Sequence, residues 1–214
     1  MVMVQVNQGM LEIGGASFAL DARTPSGDQY LIAPFVHGTL VAVVDGLGHG
    51  DAAAQAASLA VETLKRSSDD TPAVLLFRCH EALHGLCGVS LSLALFDDRS
   101  GVLSWLGIGN VWGSLFRFGS QQYLLSCRFL LARAGLVGVQ LPSLKHDAIV
   151  LRPKDTLVFA TNGIHRRAGW EAPVVGTAQH TAEEILSRHK TGGDDAVVLV
   201  ARFLGPGPRP ARAS

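Results

Sequence analysis

TLVAVVDGLGHGDAAAQAASLAVETLK, residues 39–65, falls into three parts. Thr39–Val44 is a short apolar run ending in Asp-Gly, the pattern of a buried strand entering a turn. Asp51–Lys65 reads as a helix with Asp51 at its start, and its dense alanines permit close packing on a sheet. Between them lies a glycine-rich acidic turn, Asp45-Gly46-Leu47-Gly48-His49-Gly50. Upstream, Leu11–Ala22 and Gln29–Ala33 read as strands. Downstream, Thr71-Pro72 opens a second helix with a capping threonine and proline at the first position. Its apolar stripe is Leu75, Cys79, Ala82, Leu83 and Leu86. The runs Val89–Phe96, Val102–Ile108, Ser114–Phe118, Tyr123–Leu125, Asp147–Leu151 and Thr156–Ala160 predict an antiparallel meander with turns at Asp97–Gly101 and Gly119. Thr181 and Glu184 form a capping box that predicts a third helix over Thr181–His189, and Ala196–Phe203 closes the chain with a strand. This order predicts a layered α+β domain of two packed sheets with helices outside.

Composition bounds the rest. The chain has 214 residues, and its 18 lysines and arginines balance 18 aspartates and glutamates. That neutrality argues against nonspecific nucleic-acid binding, which needs a basic surface to displace counterions. Apolar stretches such as Gly38–Val44 fall far short of the roughly 20 residues that span a bilayer. Met1–Met10 lacks a basic start and a long apolar centre, so no signal peptide is expected. Cys79, Cys87 and Cys127 contain no CxxC and predict neither a disulfide framework nor a cysteine zinc site. The expectation is a cytoplasmic single domain over residues 1–204, followed by a disordered tail, 205–214.

The chemistry concentrates in turns. Ser26-Gly27-Asp28, Asp45-Gly46 and Gly192-Gly193-Asp194-Asp195 each place a carboxylate beside glycine, and Thr161-Asn162-Gly163-Ile164 has the same shape with an amide. Hard oxygen ligands without a cysteine or histidine cluster suit Mg²⁺ or Mn²⁺ better than zinc. Any one Asp-Gly or Asn-Gly alone is an ordinary turn. Gly48–Gly50 reads equally as a tight turn or as an anion cradle at a helix N-terminus, but no P-loop lysine accompanies it.

SGD, DGLGHG seventeen residues later, LRPKDTLVFATNGI and GGDDAVVLVAR together resemble the ordered motifs of the metal-dependent type-2C (PPM) protein phosphatases. The subgroup they resemble is the bacterial SpoIIE/RsbU/RsbX one, and the resemblance covers most of Glu12–Phe203. It implies an αββα sandwich with the acidic turns gathered at one end. It implies two Mn²⁺ or Mg²⁺ ions, with Asp45 bridging them, the Gly46 carbonyl binding one, and Asp28 and Asp194 adding contacts, direct or through water. A hydroxide held between the metals would attack phosphorus, so Ser26 and Ser90 need not be catalytic. The implied substrates are phosphorylated stressosome scaffold and STAS-domain proteins, in a signalling pathway that answers stress. Asn162 stands where the family usually has a metal-binding aspartate, which predicts weaker affinity at that position. Leu47 stands where many members carry a histidine, and His49 is the candidate acid for the leaving group. Apart from the resemblance, Arg166-Arg167, just after the Asn162 turn, reads either as a contact for an acidic or phosphorylated partner or as two solvated loop charges.

Two other readings compete. One is a phosphoprotein-binding module of the same fold, impaired by Asn162. The other is a zinc metallopeptidase, because His80-Glu81-Ala82-Leu83-His84 matches HExxH on the second helix. At about 100° per residue both histidines lie opposite the apolar stripe, facing solvent, and no third ligand follows at the expected spacing. Trp105, Trp112 and Phe116 lie in strand runs without interleaved basic residues and read as packing.

Overall fold

The computed structural model describes residues 10–21, 23–119, 124–168 and 176–205, together with the backbone of 4–8. These residues form eleven strands and three helices: β1 (Val4–Gln8), β2 (Leu11–Phe18), β3 (Asp28–Phe35), β4 (Gly38–Gly46), α1 (Asp51–Arg66), α2 (Pro72–Ala82), β5 (Val89–Asp97), β6 (Val102–Ile108), β7 (Trp112–Phe118), β8 (Leu124–Leu130), β9 (Asp147–Val150), β10 (Thr156–Ala160), α3 (Ala178–His189) and β11 (Ala196–Phe203). One sheet runs β1-β2-β11-β10-β7-β8 and the other β3-β4-β5-β6-β9. All their pairings are antiparallel.

The period-2 alternation of strands explains the layers. In β4, Val41 and Val43 point into the core between the sheets, while Leu40, Ala42 and Val44 point outward to α1 and α2. Both faces are covered, which is why TLVAVV is apolar throughout. β11 behaves alike: Val197, Leu199 and Ala201 face the inter-sheet core, and Ala196, Val198 and Val200 face α3. The architecture is the expected αββα sandwich. Among the described residues, no helix is long and apolar enough to cross a membrane.

Glycine lets α3 approach its sheet. A Cβ on Gly14 would overlap the Gln179 backbone, and the Gln179 side chain bonds both the Gly15 N–H and its carbonyl at 3.1 Å. Gly14→Ala is therefore expected to push α3 off β2 and destabilise the fold by about 2 kcal/mol. Thermal unfolding would then fall by about 4–8 °C; an unchanged midpoint would refute the contact.

Several expectations need correction. The meander does not stay in one sheet: β5 and β6 pair around the Asp97–Gly101 turn, but β7 joins the other sheet. The chain changes layer at Gly109, whose φ of 92° suits glycine and whose side-chain position is filled by Ser90. The third helix begins one turn early. Thr177, not Thr181, caps it by accepting from the His180 N–H at 3.1 Å, and Thr181 is buried inside it with its hydroxyl donating to the Thr177 carbonyl. Burial of Ala178 and Gln179 against Gly14 draws that extra turn into the helix. α1 starts at Asp51 as expected, with Gly50 as its N-cap. β1 was not anticipated, and β2 ends at Phe18. Ala22, Tyr123 and the tail beyond Gly205 lie outside the described residues.

Candidate active site

The β3–β4 register sets Asp28 directly opposite Asp45. Two aspartates on opposed positions have Cβ atoms roughly 5 Å apart, and like charges so placed repel. Asp28 is only 7% exposed. The Oδ2 atoms of Asp28 and Asp45 are buried without a hydrogen-bond partner among the described residues, and so is Oδ1 of Asn110. Burial, then the charge of Asp45, raises the Asp28 pKa to about 8, although the Thr161 hydroxyl bonds to it and opposes the rise. Burial also raises Asp45 to about 6, against a hydrogen bond from Asn110 and with the charges of Asp194 and Asp195 adding.

Such a pair has unmet demand for positive charge. Asp155 shows the contrast. It is also an aspartate and 1% exposed, yet it accepts from Arg117 Nε at 3.0 Å and from the Arg152 N–H at 2.9 Å. Asp155 is structurally satisfied; Asp28 and Asp45 are not.

The surrounding loops are tied to this pair. Asp195 accepts from Leu20 N–H at 2.8 Å, Ser26 hydroxyl at 2.8 Å and Gly27 N–H at 2.9 Å, bracing the turn that carries Asp28. Gly46 donates to the Gly27 carbonyl at 3.0 Å, locking the two acidic turns together. A Cβ on Gly46 would overlap the Ala53 carbonyl, so only glycine lets the first turn of α1 sit on the end of β4. Gly48 and Gly50, with φ of 91° and 77°, carry the chain into that helix.

The other expected site residues are placed less centrally. Asp194 stands near enough to raise both pKa values, and its Oδ1 accepts from the Asp195 N–H at 2.9 Å. Among the described residues, no three histidine, cysteine, aspartate or glutamate side chains converge into one ligand shell. The oxygen set available to a cation is the Asp28 and Asp45 carboxylates, the Asn110 amide oxygen and backbone carbonyls. Hard, buried and unpartnered, these oxygens fit Mg²⁺ or Mn²⁺. Asn162 is exposed on a turn whose Gly163 backs directly onto the Asp195 carbonyl. His49 is exposed on the glycine loop. Arg166 is exposed and lines two cavities, and Arg167 shares one of them.

Asn110 went unnoticed in the sequence, and Thr161 and Asp195 were read there only as members of their turns, with no role of their own. Only the tandem GGDD offered a signal, because the second aspartate braces a turn 168 residues away. The metallopeptidase reading fails on geometry. α2 ends at Ala82, so His84 lies beyond the helix, and His80 is half-buried, its Nδ1 accepting from the Gly138 N–H at 3.0 Å. The ring expected in solvent instead fastens a loop.

The stage II sporulation protein E (SpoIIE) family model matches residues 36–204. Comparison with curated proteins finds no match. Among solved structures, one described as "The bacterial stressosome: a modular system that has been adapted to control secondary messenger signaling" shares 26% identity at a TM-score of 0.80, covering 90% of this chain and 99% of the other. RsbX in complex with magnesium aligns at 14% identity and a TM-score of 0.80, covering 94% and 100%. The catalytic domain of the serine/threonine protein phosphatase PstP with two manganese ions aligns at 17% and 0.70, covering 91% and 99%. The fold is thus that of type-2C phosphatases.

Proposed function

The chain belongs to the SpoIIE family, in the SpoIIE/RsbU/RsbX subgroup of PPM phosphatases, and from this premise we propose that it is a divalent-metal-dependent phosphoserine/phosphothreonine protein phosphatase. The observation that carries the reading is the opposed Asp28–Asp45 pair, with buried oxygens that lack partners among the described residues. The magnesium and manganese held by neighbours of this fold support the choice of ion.

Asp28, Asp45 and the Gly46 carbonyl would hold two ions, with Asp194 contributing through water. When bound, the ions supply charge neutralisation at the phosphoryl group and activation of a water for attack. The protein's own groups orient that chemistry. Asn110 fixes the Asp45 carboxylate, Thr161 fixes Asp28, Asp195 braces the Asp28 turn, and the Gly46–Gly27 backbone bond holds that turn against the Asp45 turn. His49, on the exposed glycine loop, is the proposed proton donor to the departing serine or threonine oxygen. The P–O ester bond breaks as the water oxygen joins phosphorus, leaving phosphate and the free hydroxyl.

The pathway proposed is bacterial stress signalling, with phosphorylated stressosome scaffold and STAS-domain proteins as substrates in the cytoplasm. The stressosome structure at 26% identity supports it. Hydrolysis of p-nitrophenyl phosphate and of a phosphorylated STAS protein, with Mn²⁺, Mg²⁺ or chelator, tests the reading. Metal-dependent turnover is expected. Binding of the phosphoprotein without turnover would favour the impaired module, a reading that the uncharged Asn162 keeps in play. Asn162→Asp is expected to lower the Mn²⁺ concentration for half-maximal activity about tenfold. An unchanged requirement would show that position 162 does not touch a metal.

A further inference from the structure

Among the described residues β8 ends its sheet: one backbone edge pairs with β7 and the other with no strand. Arg117 of β7 donates to the Val150 carbonyl at 3.0 Å, which sets β9, the last strand of the other sheet, beside β7. No described strand of that sheet lies beyond β9 to back β8. The burial of β8 follows. Leu124, Leu125, Ser126, Arg128 and Phe129 are exposed and only Leu130 is buried, so the strand lacks the usual alternation of a wet and a packed face. Leu124 is 46% and Leu125 52% exposed. The strand holds no proline and a single charge, Arg128. Two other edges are protected in ordinary ways: β3 begins at Asp28 and carries Pro34, and β9 has only four residues, Asp147 among them. A seven-residue apolar edge without those devices is a template for another strand.

We propose that β8 pairs antiparallel with β8 of a second copy of this chain, about a two-fold axis at Cys127. Backbone parity and charge choose this occupant and this register. Opposed residues of an antiparallel pair both turn their N–H and C=O toward the partner or both turn them away, and that orientation alternates along a strand. Two identical strands can therefore be centred only on a residue, never between two. Centred on Arg128, the two guanidinium groups face each other, and like charges directly opposed are destabilising. Centred on Ser126, Phe129 and Leu130 run past the start of the other strand. Centred on Cys127, the seven residues match end to end: Leu124 with Leu130, Leu125 with Phe129, and Ser126 with Arg128 of the other copy. β8 runs regularly beside β7 from Ser126 to Leu130 and shifts register at Leu125, so the central pairs lie in its regular part. Apolar residues meet apolar residues, and each arginine meets a neutral hydroxyl. The chain's 18 basic and 18 acidic residues add no net repulsion between copies. The contact uses the same patch on both copies, so it closes at a dimer.

The whole chain, in chelator, is followed by sedimentation velocity from about 2 to 200 µM, the range in which so small an interface assembles. A monomer–dimer equilibrium with its midpoint in that range is expected. Ser126→Lys sets a lysine against Arg128 of the other copy at two symmetric contacts and should weaken the dimer about tenfold. Adding Arg128→Glu turns both contacts into opposite-charge pairs and should restore at least the wild-type strength, a rescue that misfolding does not produce. Hydrogen exchange should show the amides of 124–130 gaining protection as concentration rises. A monomer at about 200 µM would overturn the proposal and leave this edge to a different polypeptide. A dimer indifferent to Ser126→Lys, or one weakened by it and not rescued by Arg128→Glu, would overturn it by placing the contact elsewhere. Both measurements run without metal or substrate, so their failure and that of the phosphatase reading are separate results.

Discussion

Asp45→Ala is expected to reduce metal-dependent phosphatase activity by at least about 10³-fold, since the lost electrostatic stabilisation amounts to several kcal/mol. Asp45 lies at the end of β4, faces Asp28 across the register and presents a buried oxygen with no partner among the described residues. Removing it takes away one of the two carboxylates at the centre of the site. The fold should survive, because the substitution deletes a poorly compensated buried charge and leaves the apolar body of β4 intact. Circular dichroism and thermal unfolding, run beside p-nitrophenyl phosphate turnover, separate the two effects. A variant retaining a tenth of wild-type turnover would falsify the proposed site.

Asp28→Asn is expected to act in opposite directions on stability and activity. In metal-free protein the Asp28 carboxyl is buried, faces a second aspartate and has its pKa raised to about 8. A raised folded pKa means that the carboxyl stabilises the fold below its ordinary value near 3.8 and loses that advantage as pH climbs through about 8. At pH 7.5 most of the loss has accumulated. With water entering the site and the turns relaxing, the remaining penalty is on the order of 2 kcal/mol. Replacing the carboxylate by its neutral isostere relieves it and should raise the unfolding midpoint in chelator by about 4–8 °C. The gain should shrink as pH falls and vanish below about pH 3, where the wild-type group is protonated in both states. Wild type should be stabilised by added Mn²⁺ and the variant much less, because ligand binding stabilises only the state that binds it. Equal or lower stability of the variant in chelator at pH 7.5 would show that Asp28 is already compensated within the protein.

The two effects share one cause. Two like charges gathered in one buried place repel each other, and the surrounding fold holds them together. Asp195 contributes through three hydrogen bonds to the segment 20–27, and Gly46 through its backbone bond to Gly27.

Much of this was legible in the chain. Thr39–Val44 and Ala196–Phe203 are apolar at every position or nearly so because each strand is covered on both faces, and that pattern alone demands a layered sandwich. The SGD, DGLGHG and GGDD turns marked where acidic groups meet strand ends, because glycine and aspartate have local reasons to be there. Local patterns also misled. Thr181 and Glu184 imitate a capping box, but the helix is extended by packing on Gly14, a contact that no window of the sequence contains. HExxH looked continuous on paper, and the helix stops inside it.

Residue type and local spacing determined the αββα layers, the strand-to-helix turn at Asp45–Gly50 and the families of oxygen ligand available. Tertiary structure alone decided which carboxylates are left wanting. Asp155 sits at the start of an apolar strand just as Asp28 does, and Arg117, 38 residues away, satisfies it. Asp28 meets Asp45 instead, while Asp195 is spent on Ser26, 169 residues distant. Whether a buried charge is satisfied depends on what the fold brings beside it, and partners so far apart in the chain leave no periodic trace in sequence.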